Sequence, residues 1–256
     1  MKNKKYWKET LEAYCYLLPA FVILGMFSFY PVVKSIYMSF FDWSLLRETQ
    51  YFVGIENYQK ILNDKVFMTA ITNTVRYVIG YVPFSIGLAL IVAVLLNSKI
   101  RFRGALRLAY FLPWVTSSVA ISMVWRWIYN QHYGLLNMML SGLANFVNSF
   151  VEFVSFGNVT QVWHFTNINW LMKPEWTIIN IIIISVWKSM GYNIVIFLAG
   201  LQNVPQELYE AAEVDGANSW QSFWKITLPL ISPTTFFISI ISIIGSFKLF
   251  TEIYVL

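Results

Sequence analysis

Long apolar stretches alternate with shorter polar ones along the whole chain. Five of these stretches are long enough for an α-helix to cross the roughly 30 Å of hydrocarbon in a bilayer, which takes about 20 residues. They cover residues 13–40, 70–96, 108–129, 176–200 and 226–249. The pattern therefore predicts an all-α integral membrane protein with five transmembrane helices.

The first apolar stretch follows a basic amino terminus and could be mistaken for a signal peptide. A signal peptide has an apolar core of about 7–15 residues, whereas this stretch is longer. It continues into aromatic residues of the kind that lie at membrane interfaces, namely Tyr37, Phe40, Phe41 and Trp43. We therefore interpret residues 1–12 as a tail, 13–40 as the first span and 41–69 as an external segment.

Composition supports the membrane assignment, and charge gives an orientation. Hydrophobic residues make up 57% of the chain and charged residues only 12%, so the net charge of +5 does not indicate nucleic-acid binding. Nine Lys and Arg residues fall in segments 1–12, 97–107 and 201–225, against four in segments 41–69 and 130–176. Because basic loops stay in the cytoplasm, the amino terminus and segment 201–225 are predicted to be cytoplasmic.

The polar segment between the last two spans has the pattern of a short helix. Pro205 can begin a helix without losing a hydrogen bond, and Glu207 and Glu210 then lie near its positive end. Leu208, Ala211 and Ala212 give this helix a low face of small residues that another protein could approach closely.

The same segment contains a stop signal and a second start signal. Asp215 and Gly216 predict a left-handed end of the helix. Asn218 or Ser219 can then cap a second helix that enters the fifth span. The prediction is a helix, a turn and a helix, and on spacing alone it could be a plain surface connection between two spans.

These residues carry a resemblance to a known family. Glu210-Ala211-Ala212, then Gly216, then Ile226-Thr227-Leu228-Pro229 resembles the EAA loop of permease subunits of ATP-binding-cassette (ABC) importers. Phe197–Gln202 and Tyr209–Ala217 are similar to the carbohydrate branch of that family, the relatives of the maltose transporter's membrane subunits. The resemblance implies a type I ABC importer permease fold in which residues 70–256 form the core and segment 201–225 is a cytoplasmic coupling loop.

The resemblance also implies function and partners. The chain is expected to form part of the path for a sugar or oligosaccharide in the cell membrane. It would work with ABC ATPase subunits, a second homologous permease and an extracytoplasmic solute-binding protein. The residues expected to couple to the ATPase are Glu210, Ala211, Ala212, Asp215, Gly216, Ile226, Leu228 and Pro229. Relatives continue into a sixth span, which is expected beyond Leu256.

ATP and Mg²⁺ are expected to be bound by the partner ATPase. The chain contains no GxxxxGK[ST] phosphate-binding loop, so it has no candidate nucleotide site and no cofactor is expected in it. The spans also lack a convergent set of nucleophiles, acids or metal ligands, which argues against an enzyme. Cys15, His132 and His164 stand alone and receive no role.

Several polar residues within or near the fourth and fifth spans are candidates for the translocation path. Charged groups inside a membrane usually face the interior of the helix bundle, although those near a span's end can reach the interface instead. Hydroxyl groups at helical spacing can bond their own helix, mark a helix contact or line a path. The candidates are Lys188, Ser239, Ser242, Ser246, Lys248 and Glu252.

Two other functions stay open at this point. A permease for another class of solute would have the same coupling loop. A secondary carrier would be expected to show internal repeats or broken helices with ionisable coupling sites, neither of which is clear in the sequence. The long external loop at 130–176 has an aromatic part, residues 146–170, that suits an interfacial helix, an external contact or structural filler.

Overall fold

The computed structural model of the protein describes residues 2–43, 51–97, 103–156 and 162–256. Most of these residues are helical, as the apolar pattern predicts. Lys99 and Arg101, which contribute to the predicted basic loop, lie outside the described residues. The α-helices and strands are α1 Lys2–Leu24, α2 Tyr30–Met38, β1 Phe41–Asp42, β2 Tyr51–Phe52, α3 Glu56–Asn63, α4 Lys65–Asn97, α5 Arg103–Val115, α6 Ser118–Ile128, α7 Leu135–Val154, α8 Pro174–Gln202, α9 Gln206–Val214, α10 Ser219–Ser222, α11 Leu228–Leu230, α12 Ser232–Ser246 and α13 Thr251–Val255.

Three continuous helices are long and apolar enough to cross a membrane. They lie at Tyr6–Met38, Lys65–Asn97 and Trp176–Gln202. The first includes a π-helical turn at Gly25–Phe29 that joins α1 to α2. These helices coincide with the first, second and fourth predicted spans.

The third and fifth predicted spans are bent, which the sequence analysis did not predict. Gly104–Val115 and Ser118–Ile128 meet at 98°, and Ser219–Leu230 and Ser232–Ser246 meet at 64°. Prolines that cannot donate a backbone hydrogen bond stand next to both breaks, Pro113 in α5 and Pro229 and Pro233 around the break at Ile231. Each bent pair corresponds to one predicted span, so 108–129 and 226–249 are each two helices rather than one.

The chain divides into two compact units, and the first comprises Met1–Ile71. In this unit β1 and β2 pair antiparallel. The Asn57 side chain donates to the carbonyl oxygens of Ser39 and Phe41, and the hydroxyl groups of Tyr58 and Ser39 lie 2.6 Å apart. These bonds fix α3 to the carboxyl end of α2.

The second unit, Thr72–Leu256, contains the packed helices and the candidate sites. Its helix α5 lies along α8, and a Cβ added at Gly191 of α8 would collide with the backbone of Tyr110 in α5. A larger residue at 191 would therefore force these two helices apart. The main apolar core joins α4, α8 and α12 through Ala89, Ala93, Leu96, Ile194, Phe197, Leu198, Leu201, Ile231 and Ile238.

A small polar cluster, which we call the seam, lies between α4 and α8. The Ser85 and Ser189 hydroxyl groups are 3.1 Å apart, and the Asn193 amide donates to Ser85 Oγ at 2.7 Å. All three residues are buried. Interhelical hydrogen bonds of this kind contribute about 0.6 kcal/mol each on average, and they also fix the register of the two helices.

Two asparagines organise the described parts of the loop 130–176, which the sequence predicts to be external. Asn137 is 3% exposed, and its side chain bonds the backbone of Gln131 and Ile168 and the Trp170 indole N–H. Asn148 in α7 accepts hydrogen bonds from the backbone N–H groups of Val162 and Trp163. These bonds hold Gln131, Val162, Trp163, Ile168 and Trp170 to α7.

Candidate functional site

Helix α9 is the predicted short helix of the coupling segment. It covers Gln206–Val214, and Pro205 is its N-cap rather than its first residue. Glu207 lies in the first turn, where a carboxylate interacts favourably with the helix dipole. Glu210 lies beyond that turn, so the prediction that it also sits near the positive end is wrong.

The end of α9 is formed by Gly216, as predicted. Its φ of +77° lies in the left-handed region. The N–H of Gly216 donates to the Glu213 carbonyl oxygen, and the N–H of Ala217 donates to that of Ala212. This pair of bonds is the Schellman motif, which satisfies carbonyl groups that the end of a helix leaves free.

The next helix, α10, is capped by Asn218, one of the two caps that the sequence predicted. The Asn218 side chain accepts from the Gln221 backbone N–H at 2.8 Å, and the Gln221 side chain accepts from the Asn218 backbone N–H at 2.9 Å. These two bonds form a capping box. Its N-cap, Asn218, stands two residues after Gly216, and α10 begins at Ser219. The turn between α9 and α10 is therefore defined on both sides by local sequence.

A hydrogen bond that the sequence analysis missed connects α9 to the fifth span. The hydroxyl groups of Tyr209 and Thr227 lie 2.8 Å apart, and Thr227 is buried. Thr227 ends the π-helical segment Phe223–Thr227, which leads into α11. This bond therefore links α9 to the start of that span.

Four of the eight expected coupling residues line one depression. Glu210 and Ala211 are exposed on α9, whereas Leu228 is half-buried and Pro229 exposed in α11. The other four line a depression of about 380 Å³ together with Lys225. These four residues are Ala212, Asp215, Gly216 and Ile226.

A second candidate site is a cavity of about 250 Å³ among α4, α5, α8, α12 and the chain after α12. We call it the membrane cavity. Four of the six residues predicted for the translocation path line it, namely Lys188, Ser242, Lys248 and Glu252. The structure thus brings together charged and hydroxyl groups that are up to 64 residues apart in the sequence.

Two of the predicted path residues are not at the membrane cavity. The Ser239 hydroxyl donates to the Thr235 carbonyl oxygen and the Ser246 hydroxyl to that of Ser242, each at 2.7 Å. Both therefore bond their own helix. Of the three serines, only Ser242 lines the cavity.

An ion pair lies in the wall of the membrane cavity. Lys188 Nζ is 2.7 Å from Glu252 Oε1, and the two side chains are 15% and 12% exposed. The same ammonium group also donates to the Ser118 hydroxyl, at the first residue of α6. Lys188 therefore links α8 to α13 and to the helix that follows the break in the third span.

The aromatic walls of the membrane cavity were not predicted. The rings of Tyr77 and Tyr81 stack with centroids 5.3 Å apart and an interplanar angle of 4°. Trp114 stacks on Tyr192 at 4.6 Å and 21°. The i, i+4 spacing of the two tyrosines was a signal that the sequence offered. The pairing of Trp114 with Tyr192 joins two helices, so the sequence contains no signal for it.

Comparison with known proteins places these features in a family. A family described as binding-protein-dependent transport system inner membrane component matches residues 85–256, which include the coupling segment and all of the membrane cavity's lining except Tyr77 and Tyr81. An arabinooligosaccharide transport system permease of Halalkalibacterium halodurans is 37% identical over 248 residues, covering 96% of this chain and 72% of the relative. A lactose transport system permease of Rhizobium radiobacter is 33% identical over 252 residues, covering 98% and 77%.

A third relative and a solved structure agree with this placement. The trehalose/maltose transport system permease of Thermococcus litoralis is 31% identical over 257 residues, covering 100% of this chain and 80% of the relative. A bacterial ABC transporter that imports the acidic polysaccharide alginate matches with a TM-score of 0.70 and 22% identity, over 97% of this chain and 78% of that chain. The structural match supports the predicted fold.

Proposed function

Since the chain belongs to the binding-protein-dependent transport system inner membrane components, we propose that it forms part of the path through which an ABC importer takes up a sugar or oligosaccharide. The observation that carries the proposal is the coupling segment: a short exposed helix ended by Gly216 and bonded through Tyr209 to the base of a membrane span. Carbohydrate as the cargo is supported by relatives named for arabinooligosaccharides, lactose and trehalose/maltose.

In this proposal α9 is the element that an ATPase subunit moves. The depression around Ala212 and Gly216 lies beside the exposed face of α9, so a partner surface can approach both. The bond between Tyr209 and Thr227 then transmits a displacement of α9 to the fifth span. ATP and Mg²⁺ would be bound by the partner, because this chain has no phosphate-binding loop.

The membrane cavity suits a carbohydrate. Stacked aromatic rings offer flat apolar surfaces for the C–H face of a sugar ring, and nearby polar groups offer hydrogen bonds to its hydroxyl groups. Ser189, Asn193 and Ser242 are such groups in the lining. A second permease subunit would complete the path, and a solute-binding protein would deliver the cargo from the external side.

Reconstitution tests this function directly. This chain, its second permease and its ATPase are purified together in proteoliposomes, and the cargo is the solute recovered from the native solute-binding protein. We expect uptake with ATP and loaded binding protein, and none with a proton gradient alone. Uptake driven by the gradient without ATP would show a secondary carrier, and a recovered solute that is not a carbohydrate would contradict the cargo class.

A variant of α9 tests the role of the coupling helix. Ala212→Trp adds bulk at the depression that should meet the ATPase, which neither α8 nor α12 lines, so the chain should still reach the membrane and retain the second permease. It should no longer retain the ATPase on purification. The control is Asn145→Trp, which places the same bulky side chain at an exposed position of external helix α7 and should leave both partners bound. Normal ATPase retention in Ala212→Trp would make α9 only a connector.

A further inference from the structure

The charges of the membrane cavity do not balance. Three side chains that carry a charge at neutral pH line it, namely Lys188, Lys248 and Glu252. Lys188 and Glu252 form the ion pair at 2.7 Å described above, and their charges cancel locally. The remaining charge is the ammonium group of Lys248, which leaves the cavity with one net positive charge.

The Lys248 side chain is unpaired in the part of the chain that the structure describes. Among the residues that the structure describes, its side chain takes part in no ion pair or hydrogen bond, and only its backbone N–H is bonded, to the Gly245 carbonyl oxygen. Glu252, the sole carboxylate in the lining, is already bonded to Lys188. Lys248 is exposed, so its ammonium group can reach a ligand in the cavity and donate a charge-assisted hydrogen bond to an anionic group of that ligand.

We propose that Lys248 is a specificity residue of the membrane cavity and that the cargo is an acidic carbohydrate, a sugar unit bearing a carboxylate. This inference rests on the proposed importer function. The carboxylate would accept a charge-assisted hydrogen bond from Lys248 Nζ, while the ring packs on the aromatic walls formed by Tyr77 with Tyr81 and Trp114 with Tyr192.

The size of the membrane cavity fits this arrangement. Its volume of about 250 Å³ is close to the lower end of ordinary ligand pockets, roughly 300 Å³. Such a cavity holds a single sugar unit of a longer chain, and one cation is enough to recognise the single carboxylate of one uronate unit. The chemistry therefore points to monoanionic units rather than to phosphorylated sugars with two charges.

Matched disaccharides provide the test. The complete importer, with both permeases and the ATPase, is placed in lipid nanodiscs without binding protein, and equilibrium binding is measured for cellobiouronate and cellobiose. The two differ only in the carboxylate. We expect cellobiouronate to bind at least about tenfold more tightly, which is typical for a hydrogen bond to a charged group. Lys248→Gln should remove that preference, and Lys248→Arg should retain it.

A control separates a local contact from the overall charge of the protein. Lys173→Gln removes one positive charge from an exposed residue at the start of α8, outside the membrane cavity, and should leave the preference unchanged. Equal binding of the two disaccharides, binding of neither, or an equal loss in Lys173→Gln and Lys248→Gln would each overturn the proposal. A weaker association with the second permease in Lys248→Gln, with the preference retained, would also overturn it.

ATP-driven uptake tests the importer function separately from the cargo class. If cellobiouronate shows no advantage but ATP and loaded binding protein still drive uptake of a neutral carbohydrate, the acidic cargo is wrong and the importer function stands. If no carbohydrate is taken up with ATP, the proposed function itself is wrong.

Discussion

An ammonium group within a transmembrane helix needs a partner in the same low-dielectric surroundings, and Lys188 shows how one is provided. Glu252 supplies the countercharge and Ser118 a further acceptor, from two other elements. Removing one member of a buried ion pair leaves a charge without compensation, which costs about 3–5 kcal/mol. The stability of the second unit therefore depends on both residues together.

A double substitution tests that dependence. Lys188→Met and Glu252→Met should each lower the free energy of unfolding by about 3–5 kcal/mol, and the two substitutions together should cost much less than the sum. Denaturant unfolding of the purified complex measures this. The exposed pair Lys8–Glu12, 3.9 Å apart, is the control, and Lys8→Met should cost less than about 0.5 kcal/mol. Additive losses at Lys188 and Glu252 would contradict the coupling.

Gly191 sets the distance between α5 and α8. A Cβ at this position would meet the backbone of Tyr110, which cannot move aside as the end of a flexible side chain can. Gly191→Ala should therefore destabilise the chain by about 1–3 kcal/mol, the cost of overpacking. Gly87→Ala is the matched control, since nothing lies within 4 Å of its added Cβ. Thermal unfolding compares the stabilities of the two variants. Equal stability would rule out a close approach at Gly191.

At the scale of elements, the direction of α9 depends on its left-handed end. Gly216 adopts φ +77°, a conformation that costs other residues about 1–2 kcal/mol and β-branched residues more. Gly216→Val should displace the turn and lower ATPase retention and ATP-driven uptake at least tenfold, while membrane expression persists. Gly216→Asn is the control, because asparagine tolerates this conformation. Similar loss in both variants would show that the glycine itself, rather than its backbone angle, is required.

Elements that local sequence determines were predictable, and those that depend on distant residues were not. The end of α9 at Gly216 and the cap at Asn218 follow from residues a few positions apart. The bond between Tyr209 and Thr227 joins two helices, so neither residue stands out in the sequence. The bends at Ser117 and Ile231 were missed because prolines within an apolar run are compatible with either a straight or a broken span.

Some residues of the membrane cavity were likewise predictable from the sequence, and others were not. Charged residues in an apolar run are rare, so Lys188 and the nearby Lys248 and Glu252 were recognisable as candidates. The serine spacing predicted three path residues, yet two of them bond their own helix, since a hydroxyl can satisfy itself locally. Aromatic residues are abundant, at 18% of the chain, and their pairing across helices has no sequence signal.

At the scale of the whole molecule, the Lys and Arg bias predicts how the chain lies across the membrane. In a Cys15→Ser background, His132→Cys should react with a membrane-impermeant maleimide in intact cells, because loop 130–176 is predicted to be external. Val214→Cys in α9 should react only after permeabilisation, although its side chain is 88% exposed. The opposite labelling pattern would reverse the predicted orientation.

The seam between α4 and α8 also bears on how the protein is made. Ribosomes deliver the chain to the membrane in order, so α4 is inserted while Ser189 and Asn193 are still to be translated. Ser85 precedes Ser189 by 104 residues, and during that interval its hydroxyl can bond to its own helix instead. The arrival of α8 is thus the step of biosynthesis at which Ser85 gains the polar partners of the seam.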